Sequence, residues 1–329
     1  MHPAISSIIR SSTLKIEDKI NVLTFSTHER YQSNMSDINA NFWILENKNL
    51  KKWNTNYASL PINHFILKNI DKHTNVPLFM PFDLVLSQSK YNQFHFAKET
   101  AKYLNIPLIS LEHTMIFDKT KNADELKKLH GDVNIFISDF SAKTWEPNYK
   151  YHVIEHGINS KIFNDKNFKR ENIVLSVVND WINRDYECGF TLWKNITKNI
   201  PVKVVGETPN LSKAAKNTDE LVNHYNKALI FLNTSINSPI PTTLLEAMSC
   251  GCCVITTKNE MISKVIKNGE NGFISNDPEE LNNYINKALK DYDLCRKIGK
   301  NARDTIIKEF SIDNFTKRWN SILLNSLRK

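Results

Sequence analysis

Ser238-Pro-Ile-Pro-Thr-Thr-Leu-Leu-Glu246-Ala-Met-Ser-Cys-Gly251-Cys-Cys-Val-Ile-Thr256 decides the fold class. Pro239 and Pro241 hold the approach extended, because a proline ring fixes φ and removes an amide donor. The next residues, 242–249, predict a short helix, and Gly251 supplies the residue that ends one. Residues 252–256 then form an apolar run of strand length. A helix that feeds directly into a buried strand is the repeating unit of an α/β protein with parallel sheets.

The same alternation extends in both directions. On the amino-terminal side, strands are predicted over 20–25, 41–45, 82–87, 107–111, 133–138 and 151–154. Between them, 91–104 reads as an amphipathic helix with Phe94, Phe96, Ala97, Ala101 and Leu104 on one face, and 139–145 as a shorter one. The stretch 50–75 fits neither period. In the second half, strands are predicted over 173–178, 201–205, 228–232 and 273–275, with an amphipathic stretch to about residue 198. Asp277-Pro278-Glu279-Glu280 opens a helix with a cap, a proline at the first position and acids in the first turn. Two further helices are expected over 291–309 and 311–327. The polar stretch 157–171 marks a boundary, which gives an amino-terminal domain 1–157, a second domain 158–310 and a carboxyl-terminal helix 311–329. No repeat with a period of about 20–50 residues is visible.

Composition narrows the function classes. The 329 residues are 41% hydrophobic and 24% charged, an ordinary globular balance with length for two cores. No window approaches the roughly 18 apolar residues of a membrane span, and the first residues lack the apolar core of a signal peptide, so a soluble, cytoplasmic chain is expected. The net charge is +8, but the lysines are scattered and no basic run marks a nucleic-acid arm. A basic surface suits anionic phosphates or peripheral contact with an anionic membrane face. Cys250, Cys252 and Cys253 are too crowded for a disulfide framework and have no zinc spacing, so buried thiols and no bound metal are expected.

The chemistry centres on the quoted stretch. The first amides of the helix at Thr242, with the helix dipole, make an anion site. Glu246, one turn further on, is placed to accept from vicinal hydroxyls such as those of a ribose. Phosphate and sugar together describe a nucleotide. A phosphate-handling NTPase is disfavoured, since G-x-x-x-x-G-K-[ST] is absent.

The order of these residues resembles the donor-binding segment of retaining GT-B glycosyltransferases of the group 1 type. So do Val265-Ile-Lys-Asn-Gly-Glu-Asn-Gly-Phe-Ile274, Asp277-Pro-Glu-Glu-Leu281, Ile298-Gly-Lys-Asn-Ala-Arg303 and Glu309-Phe-Ser311. The resemblance implies an α/β GT-B architecture, two Rossmann-like doubly wound domains facing a cleft, with the last helix crossing back to the first domain. It implies transfer of a sugar from a UDP-, GDP- or ADP-sugar to a glycan, lipid-linked or small-molecule acceptor, with retention and without a bound metal. Glu246 matches the second Glu of the family's E-x7-E signature; Ser238 stands where the first would be, which leaves the sugar open. Thr242, Thr243 and Leu244 match the turn whose amides reach the phosphates, and Pro241, which has no N–H, leads into it as part of the donor site. Arg184, the one cation of the loop 179–189, is assigned to the diphosphate, and Gly206 and Glu207 to the strand end beside the base. His113 matches a histidine that faces the donor. His28, Glu29, Arg30 and Tyr31 replace the Gly-rich acceptor loop with side chains. Residues 153–163 resemble the hinge at the start of the second domain, where His156 reads as a hinge residue. The rival readings are a GT-B-type epimerase or hydrolase of nucleotide sugars, and an inactive nucleotide-sugar-binding protein.

Overall fold

The computed structural model describes residues 3–15, 18–77, 80–117 and 120–327. The ends of the expected first domain and last helix, residues 1–2 and 328–329, lie outside these, as does part of the stretch read for a signal peptide. The chain divides into two units. One comprises Met1–Thr55, Leu60–His156 and Asp313–Lys329, and the other Asn56–Ser59 and Gly157–Ile312.

The first unit runs α1 (Pro3–Thr13), β1 (Ile20–Phe25), α2 (Glu29–Ser33), β2 (Ala40–Glu46), β3 (His64–Lys68), β4 (Leu84–Ser87), α3 (Phe94–Leu104), β5 (Leu108–Glu112), α4 (Ala123–Lys128), β6 (Val133–Phe136), α5 (Asp139–Trp145) and β7 (His152–Val153). Its seven-stranded sheet has the order β3-β2-β1-β4-β5-β6-β7 and is parallel throughout. The central strands read as continuous apolar runs because helices cover both faces. On α3, Phe94, Ala97, Ala101 and Leu104 are buried as expected; Phe96 is half-buried at the edge and meets Phe25 edge-on. The ambiguous stretch 50–75 contains β3, an edge strand whose side chains are only partly buried, which blurs its period.

The second unit runs β8 (Glu171–Val177), α6 (Asp185–Cys188), α7 (Phe190–Ile196), β9 (Val202–Val205), α8 (Thr218–Lys227), β10 (Ala228–Asn233), α9 (Thr242–Ser249), β11 (Cys253–Thr256), α10 (Glu260–Val265), β12 (Phe273–Ile274), α11 (Pro278–Lys290) and α12 (Tyr292–Glu309). Its sheet is parallel, in the order β12-β11-β10-β8-β9. The Asp277 carboxylate accepts from the amides of Glu279 and Glu280, the cap expected from its sequence. The sequence reading passed over α8 and α10, each capped by an asparagine, Asn217 and Asn259. All five cysteines are free and buried. Trp181 has no exposed surface; it packs on Phe190 and Trp193, so it belongs to the core.

The chain closes with α13 (Ile312–Ser326). Trp319 is fully buried, and its indole N–H donates to the Tyr31 hydroxyl at 3.1 Å, while the Phe315 ring lies 5.2 Å from that of Tyr31. The Asn39 amide donates to the Asn320 side chain at 2.9 Å. These contacts make the last helix part of the first unit. Trp319→Ala is therefore expected to destabilise that unit by about 3–5 kcal/mol, the usual cost of emptying a buried indole site. Denaturant unfolding measures it, and an unchanged midpoint would contradict the packing described.

Candidate functional site

In an open parallel sheet, ligands bind outside the carboxyl ends of the strands, where the winding reverses. In the second unit that switch lies between β8 and β10. The loops after these strands are tied together: Thr234 Oγ1 donates to the Cys188 carbonyl at 3.0 Å, and Asn237 Nδ2 to that of Tyr186 at 3.0 Å. Asn259 Nδ2 holds the Ile236 and Ser238 carbonyls at 3.1 and 2.8 Å. Ser238 is half-buried, and its hydroxyl donates to the Pro239 carbonyl. This loop delivers the chain to α9, whose N-cap Pro241 lacks a capping side chain.

The amides of Thr242 and Thr243 have no hydrogen-bond partner among the described residues, whereas the Leu244 amide donates to the Pro241 carbonyl at 3.0 Å. The expected turn thus offers two amides, not three: Leu244 is spent on a tight first turn. The other end of α9 is neutralised. Arg303 donates to the Ser249 carbonyl, and Arg170 to that of Cys250 at 2.5 Å. Cations there complement the helix dipole and leave the amino end for an anion.

Gly299 explains a second part of the sequence pattern. A Cβ there would lie 2.1 Å from the carbonyl oxygen of Gly251, so α12 sits directly on the backbone at the end of α9. Gly299→Ala is expected to lower the melting temperature by several degrees, since overpacking costs about 1–3 kcal/mol. A thermal melt matching the parent would refute that close packing.

Glu246 is 1% exposed, and the Tyr225 hydroxyl donates to its Oε2 at 2.9 Å. Arg184 is exposed at the N-cap of α6, and its guanidinium makes no hydrogen bond or ion pair with the described residues. At the end of β9, the Glu207 amide donates to Asn179 Oδ1 at 2.8 Å and its carbonyl accepts from Asp180 at 2.7 Å; the Gly206 amide donates to the Lys213 carbonyl. Arg184, the α9 start and Gly206–Glu207 therefore all lie at the carboxyl ends of the sheet. Among the described residues, no group of three or more His, Cys, Asp or Glu side chains is placed to hold a metal.

In the first unit the switch lies between β1 and β4. His113 follows β5, with rings of His28 at 5.6 Å and Tyr31 at 4.5 Å. The four side chains expected to face an acceptor together do not do so. Tyr31 has no exposed surface and is enclosed by Trp319, Phe315, His113 and His156. Glu29 is 2% exposed, accepting from Lys51 at 2.7 Å and from the Asn54 amide at 3.2 Å. The cause is α2, a turn of helix the sequence reading missed, which carries both inward. His28 and Arg30 remain half-buried. Gln88 was also missed; it bridges Thr24, Phe25 and His113.

Burial holds four histidines of this unit, His28, His64, His113 and His156, neutral. It pushes His28 down to about 4, His64 to about 3 and His156 to about 3, and His113 well below its usual value. Unfolded, each would take up a proton near pH 6.5, so the unfolded chain binds more protons on acidification. Stability is therefore expected to fall below about pH 6.5, by at most about 1.4 kcal/mol per histidine per pH unit, until the folded values near 3–4 are reached. Melting temperatures at about pH 5 should lie below those at pH 7.5, and equal ones would refute the burial account.

The segment that builds α9 and its supports carries a family signature. Residues 192–305 match the family Glycosyl transferases group 1. Over 87 residues the chain is 31% identical to N-acetyl-alpha-D-glucosaminyl L-malate synthase of Bacillus anthracis, covering 26% of this chain and 23% of that protein. The chain spans between 23% and 38% of the length of the curated relatives it matches. Among solved structures, Anabaena Alr3699/HepE in complex with UDP superposes with a TM-score of 0.71 at 14% identity, over 93% of this chain and 100% of that one. Sucrose-phosphate synthase from Thermosynechococcus elongatus gives 0.69 at 12% identity, over 93% and 99%. The architecture is thus α/β GT-B. The matched segment includes Glu246, Gly299 and Arg303; Arg184 lies outside it. Among the described residues, no helix is long and apolar enough to cross a membrane.

Proposed function

We propose that this chain is a glycosyltransferase that moves a sugar from a nucleotide-sugar donor to a hydroxyl-bearing acceptor, with retention of configuration and without a bound metal. The observation that carries the reading is the α9 start, with two unengaged amides and a neutralised far end, at the switch point of a sheet within the matched segment. In this reading Thr242 and Thr243 bind the diphosphate through their amides and Arg184 through its guanidinium. Glu246 accepts from the ribose, Gly206 and Glu207 border the base, and Ser238 borders the sugar. His113 contacts the reacting sugar, and His28 and Arg30 serve the acceptor. The Anabaena relative was solved with UDP, so UDP-sugars lead the donors to try.

The test is a panel of UDP-, GDP- and ADP-sugars with glycan and lipid-linked acceptors. The expected result is nucleoside diphosphate release coupled to a product of unchanged anomeric configuration, unaffected by a chelator. The cognate nucleotide should also raise the melting temperature, with about 2.7 kcal/mol of stabilisation at 100 times its Kd. No turnover and no thermal shift with any donor would reject the reading. An inverted product would reject retention alone, and a loss with chelator restored by a divalent ion would reject metal independence.

A further inference from the structure

A buried ammonium sits beyond the carboxyl end of β4 in the first unit. Lys90 follows that strand and is 2% exposed. Its Nζ lies over the rings of Trp145 at 4.6 Å, Tyr149 at 5.2 Å and Phe136 at 5.5 Å. It donates to the Tyr149 hydroxyl at 2.6 Å, and that hydroxyl donates in turn to the Leu129 carbonyl at 3.4 Å. Ring faces attract a cation and not a neutral amine, so the cage acts on the charged form. The same residues fix the backbone on both sides of His113. The Lys90 amide donates to Glu112 Oε2 at 2.9 Å, and the Thr114 amide and hydroxyl donate to Glu112 Oε1 at 2.9 and 2.7 Å. The Trp145 indole N–H donates to the Thr114 carbonyl at 3.0 Å. Glu112 and Thr114 flank His113, and Gln88, two residues before Lys90, faces its ring.

We infer that Lys90 is a positioning residue: its caged ammonium ties the loop after β4 to α5 and Tyr149, and so holds the backbone of His113 through Glu112 and Thr114. The part His113 plays in transfer rests on the transferase reading; the cage does not. Burial pushes the Lys90 ammonium down to about 8, with Glu112 opposing it, so mildly alkaline solution removes the charge on which the rings act. Burial pushes the Glu112 carboxyl up, while its three donors and Lys90 pull it back. Burial also raises Tyr91, and raises Tyr149 to about 12, so the phenols keep their protons where the ammonium loses one. His130 lies against the Tyr149 ring at 5.1 Å, and Asp139 and Lys143 of α5 are exposed. Among these groups Lys90 is the one whose charge changes near pH 8.

The test uses the full chain with 13C-labelled lysine and histidine, the signals of Lys90 and His113 being assigned from Lys90→Met and His113→Gln. The Lys90 ε-methylene should lie upfield of the other lysines, shifted by the ring currents of its cage. It should titrate near pH 8, whereas exposed lysines do so near about 10.4. Burial keeps the His113 ring itself from titrating there, so its signal should move only as Lys90 loses its proton, between about pH 7 and 9.5. Lys90→Arg stays charged and can stack on the rings, and should hold the His113 signal still over that range. With an active donor, wild-type kcat should fall about 10- to 100-fold along the same limb with donor KM little changed, as a small misplacement near the reacting atoms does. Lys90→Met should be slow throughout, and Lys90→Arg should restore the rate. A Lys90 signal among the other lysines, a His113 signal that ignores the Lys90 titration, or wild-type kcat in Lys90→Met would each overturn the inference. If the variants do not fold, through-bond spectra of the wild type assign both signals, and their titrations decide. Coupled titrations in a chain that transfers no sugar would reject the transferase reading and leave the inference standing.

Discussion

Arg184→Ala is expected to lower turnover about 100- to 1,000-fold while weakening donor binding far less. Negative charge grows on the departing diphosphate as the glycosidic bond breaks, so a positioned cation is worth more in the transition state than in the ground state. The two amides of Thr242 and Thr243 would still hold the ground-state phosphates. Arg184 is exposed and bonded to nothing among the described residues, so its removal should leave the melting temperature alone. Arg184→Lys should recover only part of the rate, because an ammonium cannot hold two phosphate oxygens in one plane. Steady-state kinetics decide the matter: a variant with wild-type kcat would remove Arg184 from the site.

Glu246→Ala should cost both nucleotide affinity and stability. The ribose hydroxyls would lose a charged acceptor worth about 1.5–3 kcal/mol, or roughly 10- to 150-fold in Kd. At the same time the Tyr225 hydroxyl, fully buried, would lose the carboxylate to which it donates. A side chain facing open solvent would have left the unliganded melting temperature unchanged; the burial of Glu246 predicts that it falls. Glu246→Gln separates the two effects. Its amide oxygen can still accept from Tyr225, so stability should largely return, whereas the charge offered to the ribose does not. Calorimetry of nucleotide binding alongside thermal melts reads both, and unchanged affinity in both variants would sink the assignment.

Several elements were legible in advance because their signals are local. Residues 242–249 became α9 with the bounds read from two prolines and a glycine, and β1 and α5 likewise. Asp277 caps its helix as read, since a cap depends only on the next few residues. Short helices such as α2 and α10 left no amphipathic period long enough to detect, and Tyr31 therefore passed for a loop residue.

The sequence by itself determined the alternation of strand and helix and the two-sheet α/β class. It also marked Glu246 one turn into the helix that starts at Thr242, and Arg184 in the loop after a strand. Only the tertiary structure decided what those residues touch. Parallel strands are joined by crossovers, so partners in the sheet stand far apart in the chain, as with Phe25 and Gln88, 63 residues away. Whether Gln88 meets His113, whether Arg303 caps α9, and whether Tyr31 faces solvent or Trp319 all depend on strand order and helix packing, for which no short window of sequence carries a signal. A hydrogen bond is decided by distances of a few tenths of an ångström between such distant segments, while a local pattern specifies only the direction in which each segment runs.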